Sequence, residues 1–153
     1  VANVAVVYES KYGNTKMVAE SIAEGIQEGG VGDVLVLHIG NAKLSDLATY
    51  DALVIGGPNH VGGATRTVKK LISSLGESSG KLVAVFDTYM GKDVEKAVNK
   101  MLKQLKEKAP EIEVITPGLS VLVTGMKGPI ADGELRKSKA FGGTIAARVG
   151  GRS

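Results

Sequence analysis

The chain has no cysteine and no tryptophan. That excludes disulfides, thiolate catalysis, iron–sulfur clusters and cysteine-ligated zinc. Histidine occurs only as His38 and His60, too few for a histidine metal cluster. Aromatic residues make up 4%, against the stacking platforms that single-stranded nucleic acids require. With no recognisable nucleophile–base constellation either, a hydrolytic triad has little to be built from. No apolar run approaches the ~18 residues of a membrane span. The apolar start Val1–Tyr8 has neither a basic lead nor a small-residue cleavage site. It does not read as a signal peptide, so the expectation is a soluble cytoplasmic protein.

What is abundant is glycine, at 21 of 153 residues, about twice the usual ~7% and without a three-residue period. The length predicts one domain over residues 1–153, with a core that needs no covalent staple. Charge is uneven: residues 1–76 sum to −1 and residues 77–153 to +4. A basic half attracts anionic partners, although solvated helix faces give the same count.

Short, nearly continuous aliphatic runs occur at Val4–Tyr8, Val34–Ile39, Ala52–Ile55, Leu82–Phe86 and Leu119–Val123. Continuous runs mark strands buried on both faces, as in parallel sheets. Between them, apolar residues recur at helical spacing in Asn14–Gln27, Thr65–Leu75, Asp93–Lys106 and Gly133–Val149. Ala42–Leu47 reads as a short helix or turn. Ile112–Ile115 reads as an edge strand or as the first half of a fifth strand broken at Pro117-Gly118. Such alternation predicts an open α/β sandwich, a five-stranded parallel sheet with helices on both faces. Ligands of such sheets sit beyond the carboxyl ends of the strands, where strand order reverses.

The loops leaving those ends carry the candidate chemistry. After strand one, Ser10, Lys11, Tyr12, Gly13, Asn14 and Thr15 open a helix. Free N–H groups and the helix dipole there suit a phosphate, while a plain helix cap needs only one of these polar residues. The dinucleotide glycine pattern is absent, and the loop after strand three lacks the lysine and hydroxyl of a triphosphate loop. That loop, Gly56-Gly57-Pro58-Asn59-His60-Val61-Gly62-Gly63, can lie flat along a planar ligand or be a flexible connector. After strand four come Asp87, Thr88, Tyr89, Met90 and Gly91, where Tyr89 can stack on a ring or pack on its own loop. The loop Gly125–Pro129 after strand five reads as rim, with no specific role. Gly29, Gly30, Gly76 and Gly80 follow helices, where left-handed caps favour glycine. Gly142 and Gly143 interrupt the last helix without a visible reason.

The run Val6-Val7-Tyr8-Glu9-Ser10-Lys11-Tyr12-Gly13-Asn14-Thr15, with Ala19 and Ile22, resembles the flavodoxin signature. The strand layout extends the resemblance over essentially the whole chain, at the length of a short-chain member, with features of archaeal ones. The resemblance implies noncovalent FMN, its phosphate held by Ser10 to Thr15. Its ring would lie between Pro58–Gly63 and Asp87–Gly91. A single anion loop with no adenosine site matches FMN rather than FAD. The family's flexible peptide beside the ring would fall among Gly56, Gly57, Gly62 and Gly63. Tyr89 matches the aromatic of the second face, but the first face has none, and Tyr12 replaces a threonine. Flavodoxins are usually acidic, whereas this chain has a pI near 9.1. Lys92, Lys96, Lys100 and Lys103 line one flank. The resemblance therefore implies an electron carrier for redox partner proteins, acidic ones given this charge, with no nucleic-acid or membrane partner. Two alternatives stand beside it: an FMN-dependent NAD(P)H:quinone-type reductase, and a binding module without turnover.

Overall fold

The computed structural model describes residues 2–76 and 81–151. Gly80 lies outside them. The elements run β1 (Asn3–Tyr8), α1 (Asn14–Glu28), β2 (Asp33–His38), a 3-10 turn (Ile39–Asn41), α2 (Leu44–Leu47), β3 (Ala52–Pro58), α3 (Arg66–Ser73), β4 (Leu82–Tyr89), α4 (Lys96–Lys108), β5 (Glu113–Val114), β6 (Leu119–Leu122) and α5 (Glu134–Gly150).

All strands pair in parallel, in the order β2-β1-β3-β4-β5, and β6 also pairs with β4. The two short pieces share one neighbour. Leu82 and Val83 pair with Glu113 and Val114, and Phe86 to Tyr89 pair with Leu119 to Leu122. They are two halves of one broken edge strand, with the break at Ile115–Gly118. Val98 of α4 packs into that break, 2.4 Å from where a Gly118 side chain would begin.

Side-chain alternation explains the continuous aliphatic runs. Val4, Val6 and Tyr8 of β1 face α1 and α5, where Val18, Ile22, Ile26 and Ile145 meet them. Ala5 and Val7 face the opposite layer, with Val68 and Ile72 of α3 and Met101 and Leu105 of α4. Each fully buried aliphatic side chain contributes about 1.5–3 kcal/mol, so both layers are held mainly by burial.

Strands β3 and β4 run three residues beyond their aliphatic runs. Gly57 pairs with Asp87 and Pro58 with Thr88. Gly56, Gly57, Pro58, Asp87, Thr88 and Tyr89 are thus strand residues, not loop as their composition suggests. Gly56 is required by packing, because a Cβ there would lie 2.3 Å from the Phe86 ring. α4 begins at Lys96 rather than Asp93, since Glu95 adopts φ 64 and ends the turn before it. Of the glycines that follow helices, Gly30 is left-handed at φ 96. Gly29 has φ −77, and at Gly76 a Cβ would instead sit 3.0 Å from the Lys108 carbonyl oxygen.

Gly142 acquires a reason here. A Cβ on it would sit 2.1 Å from the Ile22 carbonyl oxygen, and one on Gly25 would sit 2.0 Å from that of Lys139. These glycines let α1 and α5 touch backbone to backbone. Gly143 has nothing within 4 Å of its Cβ position. Gly142→Ala should therefore destabilise by about 1–3 kcal/mol through overpacking. Gly143→Ala should stabilise by up to about 1 kcal/mol through helix propensity. Denaturant melts of the two variants check the contrast, and equal effects would contradict the packing.

Candidate cofactor site

β1 leads into α1 on one face of the sheet and β3 leads toward α3 on the other. Between them the carboxyl ends open a crevice, and a cavity of about 360 Å³ occupies it. Ser10, Lys11, Tyr12, Asn14, Thr15, Pro58, Asn59, His60, Val61, Thr88, Tyr89 and Met90 all line that cavity. Three segments distant in sequence therefore meet at one place. Gly13, Gly62, Gly63, Asp87 and Gly91 do not line it. Gly125 and Met126 of the expected rim loop do, and so do Asp93 and Val123, which the sequence did not single out.

The first wall is the start of α1. Gly13 sits at the N-cap with φ 91 and supplies no side-chain cap. That geometry suits glycine, which has no Cβ to clash. Ser10 Oγ accepts from the Gly13 N–H at 3.0 Å, so its own O–H remains free to donate. The N–H groups of Asn14, Thr15 and Lys16 belong to the first turn, which has no intrahelical acceptor for them. The Thr15 hydroxyl lies 2.9 Å from that of Thr88. In such a pair one hydroxyl donates to the other, and one proton is left for a ligand. This contact also ties α1 to the end of β4.

The second wall is the turn after β3. His60 and Gly63 exchange two backbone hydrogen bonds, 2.7 and 3.1 Å long. Val61 and Gly62, between them, have φ 51 and φ 76. Two positive φ values mark a type I′ turn, an uncommon place for a β-branched residue. Val61 is 92% exposed. Of the four glycines expected to give a flexible peptide, Gly56 and Gly57 lie within β3, and Gly62 and Gly63 lie in this turn. Upstream, the Asn59 N–H donates to the Thr88 carbonyl at 2.7 Å and its Nδ2 to Asp93 Oδ2 at 3.0 Å. Asn59 Oδ1 is buried and has no partner among the described residues. A buried orphan acceptor is costly and asks for an N–H donor.

The third wall is the end of β4. Tyr89 and Met90 line the cavity, with the Tyr89 phenol pushed up by burial and by the carboxylates of Glu134, Asp87 and Glu95. Asp93 is held below the usual carboxylate range by hydrogen bonding from Lys96, with Asn59 adding to it. Asp87 turns away from the cavity and is fully buried. Its Oδ2 accepts from the Val98 N–H at 2.9 Å, and its Oδ1 from the Ser120 hydroxyl at 2.6 Å. Ser120 Oγ in turn accepts from the Glu95 N–H at 2.9 Å. Asp87 and Ser120 together cap α4, whose own N-cap offers no side chain. This pins the loop that carries Met90 and Asp93.

The rim comes from the loop after β6. Tyr12 reaches over to Met126, its hydroxyl 3.7 Å from the sulfur. Lys11 Nζ and Lys127 Nζ lie 5.5 and 5.9 Å from the Tyr12 ring centre. The sequence placed this loop at the rim without a specific role, because its residues carry no motif, and the structure puts Gly125 and Met126 in the cavity lining.

The donors at the first wall suit a phosphate, and Asn59, His60 and Val61 of the second wall share the cavity with Tyr89 and Met90 of the third. Together they define an α/β protein that holds a phosphorylated planar cofactor. The family model described as a flavodoxin domain matches residues 5–122, and the chain belongs to the flavodoxin family. FMN is the cofactor of that family. A solved flavodoxin from the domain Archaea superposes with a TM-score of 0.80 at 29% identity, covering 97% of this chain and 99% of that one. A flavodoxin of Aquifex aeolicus (strain VF5) is 29% identical over 96 residues, 60% of this chain and 52% of its own length. An NAD(P)H dehydrogenase (quinone) of Caulobacter vibrioides (strain NA1000 / CB15N) is 35% identical over 81 residues, 40% of this chain and 41% of its own. The matches thus span about half the length of these two curated relatives or less.

Burial, partly offset by the Ser120 and Val98 donors, holds the Asp87 carboxyl above its ordinary range. The folded chain then binds this proton more tightly than the unfolded chain. Its contribution is most favourable below the unfolded carboxylate pKa and declines as pH rises toward the folded one. Asp87→Asn removes that decline. Thermal melts between about pH 4 and 8 should show the variant gaining on the parent as pH rises, and parallel curves would count against it.

Proposed function

We propose that this chain is a single-domain cytoplasmic electron carrier that uses FMN and exchanges electrons with acidic redox partner proteins. The observation that carries the reading is the uncapped start of α1 at the β1/β3 crevice, in one cavity with Tyr89, Met90 and the His60–Val61 segment. The bound flavin supplies the electron-accepting ring. The residues supply the rest. The N–H groups of Asn14, Thr15 and Lys16 and the Ser10 hydroxyl hold the phosphate. Tyr89 and Met90 bear on one ring face, and the His60–Gly63 turn on the other. Asn59 Oδ1 accepts an N–H at the ring edge, and its Nδ2 remains on Asp93. Lys96 is engaged by Asp93 at 2.8 Å. Lys100 is the flank lysine nearest the turn, its Nζ 4.0 Å from the Gly62 Cβ position. Positive charge there favours an anionic reduced ring on Coulomb grounds, within a screening length of about 8–10 Å. The same charge complements acidic partners. Among the described residues no helix is long and apolar enough to cross a membrane.

A second reading, an NAD(P)H:quinone-type reductase, is favoured by the exposed Val61 turn, which leaves the first face open to another flat ring. It is also favoured by the similarity to the Caulobacter dehydrogenase. Reductive titration of the flavin-loaded protein separates the two. A carrier should pass through two resolved one-electron steps at potentials less negative than those of acidic flavodoxins, and should oxidise NAD(P)H negligibly with a quinone present. A single two-electron bleach with steady NAD(P)H oxidation would establish the reductase instead.

A further inference from the structure

The loop after β6 lies directly on the phosphate loop. Two separate contacts place it there. Tyr12 meets Met126 and Lys127, and the Asn14 carboxamide lies 2.6 Å from where a Gly128 side chain would begin. The loop holds its own shape through the Gly128 N–H on the Gly125 carbonyl, at 3.0 Å, and both Thr124 donors on the Pro129 carbonyl. Tyr12 is 41% exposed and offers its electron-rich ring to two ammonium groups, those of Lys11 and Lys127. Neither ammonium has a carboxylate partner among the described residues. A cation–π contact at an exposed site is worth about 0.5–1 kcal/mol, enough to bias a flexible lysine without engaging its donors. Two free cations are thus collected beside an uncapped helix start whose proposed phosphate donors, three N–H groups and the Ser10 hydroxyl, carry no net charge.

We propose that Lys127, reaching from outside the phosphate loop and gathered with Lys11 by Tyr12, is a further phosphate-binding residue of this site. The cationic collar makes the chain discriminate for the phosphate ester over the phosphate-free ring. The inference rests on the FMN reading and adds to it a residue, a charge and a preference. Lys127 brings three N–H donors on a mobile stem, which suits a phosphate without fixing its geometry. The partner is an anion in a solvent-exposed mouth, so the effect is salt-dependent.

The test uses the full chain stripped of flavin and titrated with FMN and with riboflavin, by flavin fluorescence, at low and high sodium chloride. FMN affinity should fall with salt while riboflavin affinity stays level. Lys127→Ala should weaken FMN about threefold to tenfold, leave riboflavin unchanged and flatten the salt dependence. Lys127→Arg should restore most of the loss. Unaltered melts in the absence of flavin check that the loop still folds. An unchanged FMN-to-riboflavin ratio in Lys127→Ala, or equal weakening of both ligands, would overturn the proposal while leaving the cofactor reading intact. Failure of the parent chain to take up either flavin would overturn both.

Discussion

The parallel pairing of β1 with β3 is the constraint from which the site follows. β1 sends α1 to one face of the sheet and β3 sends its chain toward α3 on the other. Two connections that leave neighbouring strands in opposite directions must open a crevice between them. Everything placed in that crevice is a consequence. The helix dipole and the spare N–H groups of α1 point into it because β1 ends there. Thr88 reaches Thr15 because β4 runs three residues past its apolar stretch.

The walls are held by contacts that lie behind them. Asp87 and Ser120 anchor the start of α4, and that anchoring fixes Met90 and Asp93 at the cavity. Asp93 then holds Asn59 by Nδ2, which leaves Oδ1 free for a ligand. A buried carboxyl that does not line the cavity thus sets the position of a carboxamide that does. On the opposite layer, Gly25 and Gly142 let α1 and α5 approach closely, which sets how α1 meets the sheet.

Sequence alone carried the class of fold, since aliphatic runs and helical spacing are local properties. It also carried most of the residues that line the cavity, because Ser10 to Thr15 and the glycine-rich turn announce themselves by composition. What it did not carry is pairing. Gly56-Gly57-Pro58 and Asp87-Thr88-Tyr89 have no strand signal of their own and become strand only by bonding to each other. The role of Gly142 depends on the Ile22 carbonyl, and that of Asp87 on the Val98 N–H and Ser120 hydroxyl. The β6 loop has no motif, so its place at the rim was legible but its contact with Tyr12 and Asn14 was not. Gly29 and Gly76 followed the local rule for helix ends in sequence but not in conformation. Residues that act through partners far along the chain are invisible to reasoning by window.

The central claim is that the uncapped turn of α1 binds the cofactor phosphate through its backbone. Amide chemical shifts of the isotope-labelled chain read this directly. Adding FMN should move the N–H resonances of Asn14, Thr15 and Lys16 downfield, as new hydrogen bonds to an anion do, and adding riboflavin should leave them in place. Equal shifts with both ligands, or shifts confined to β3 and β4, would contradict it.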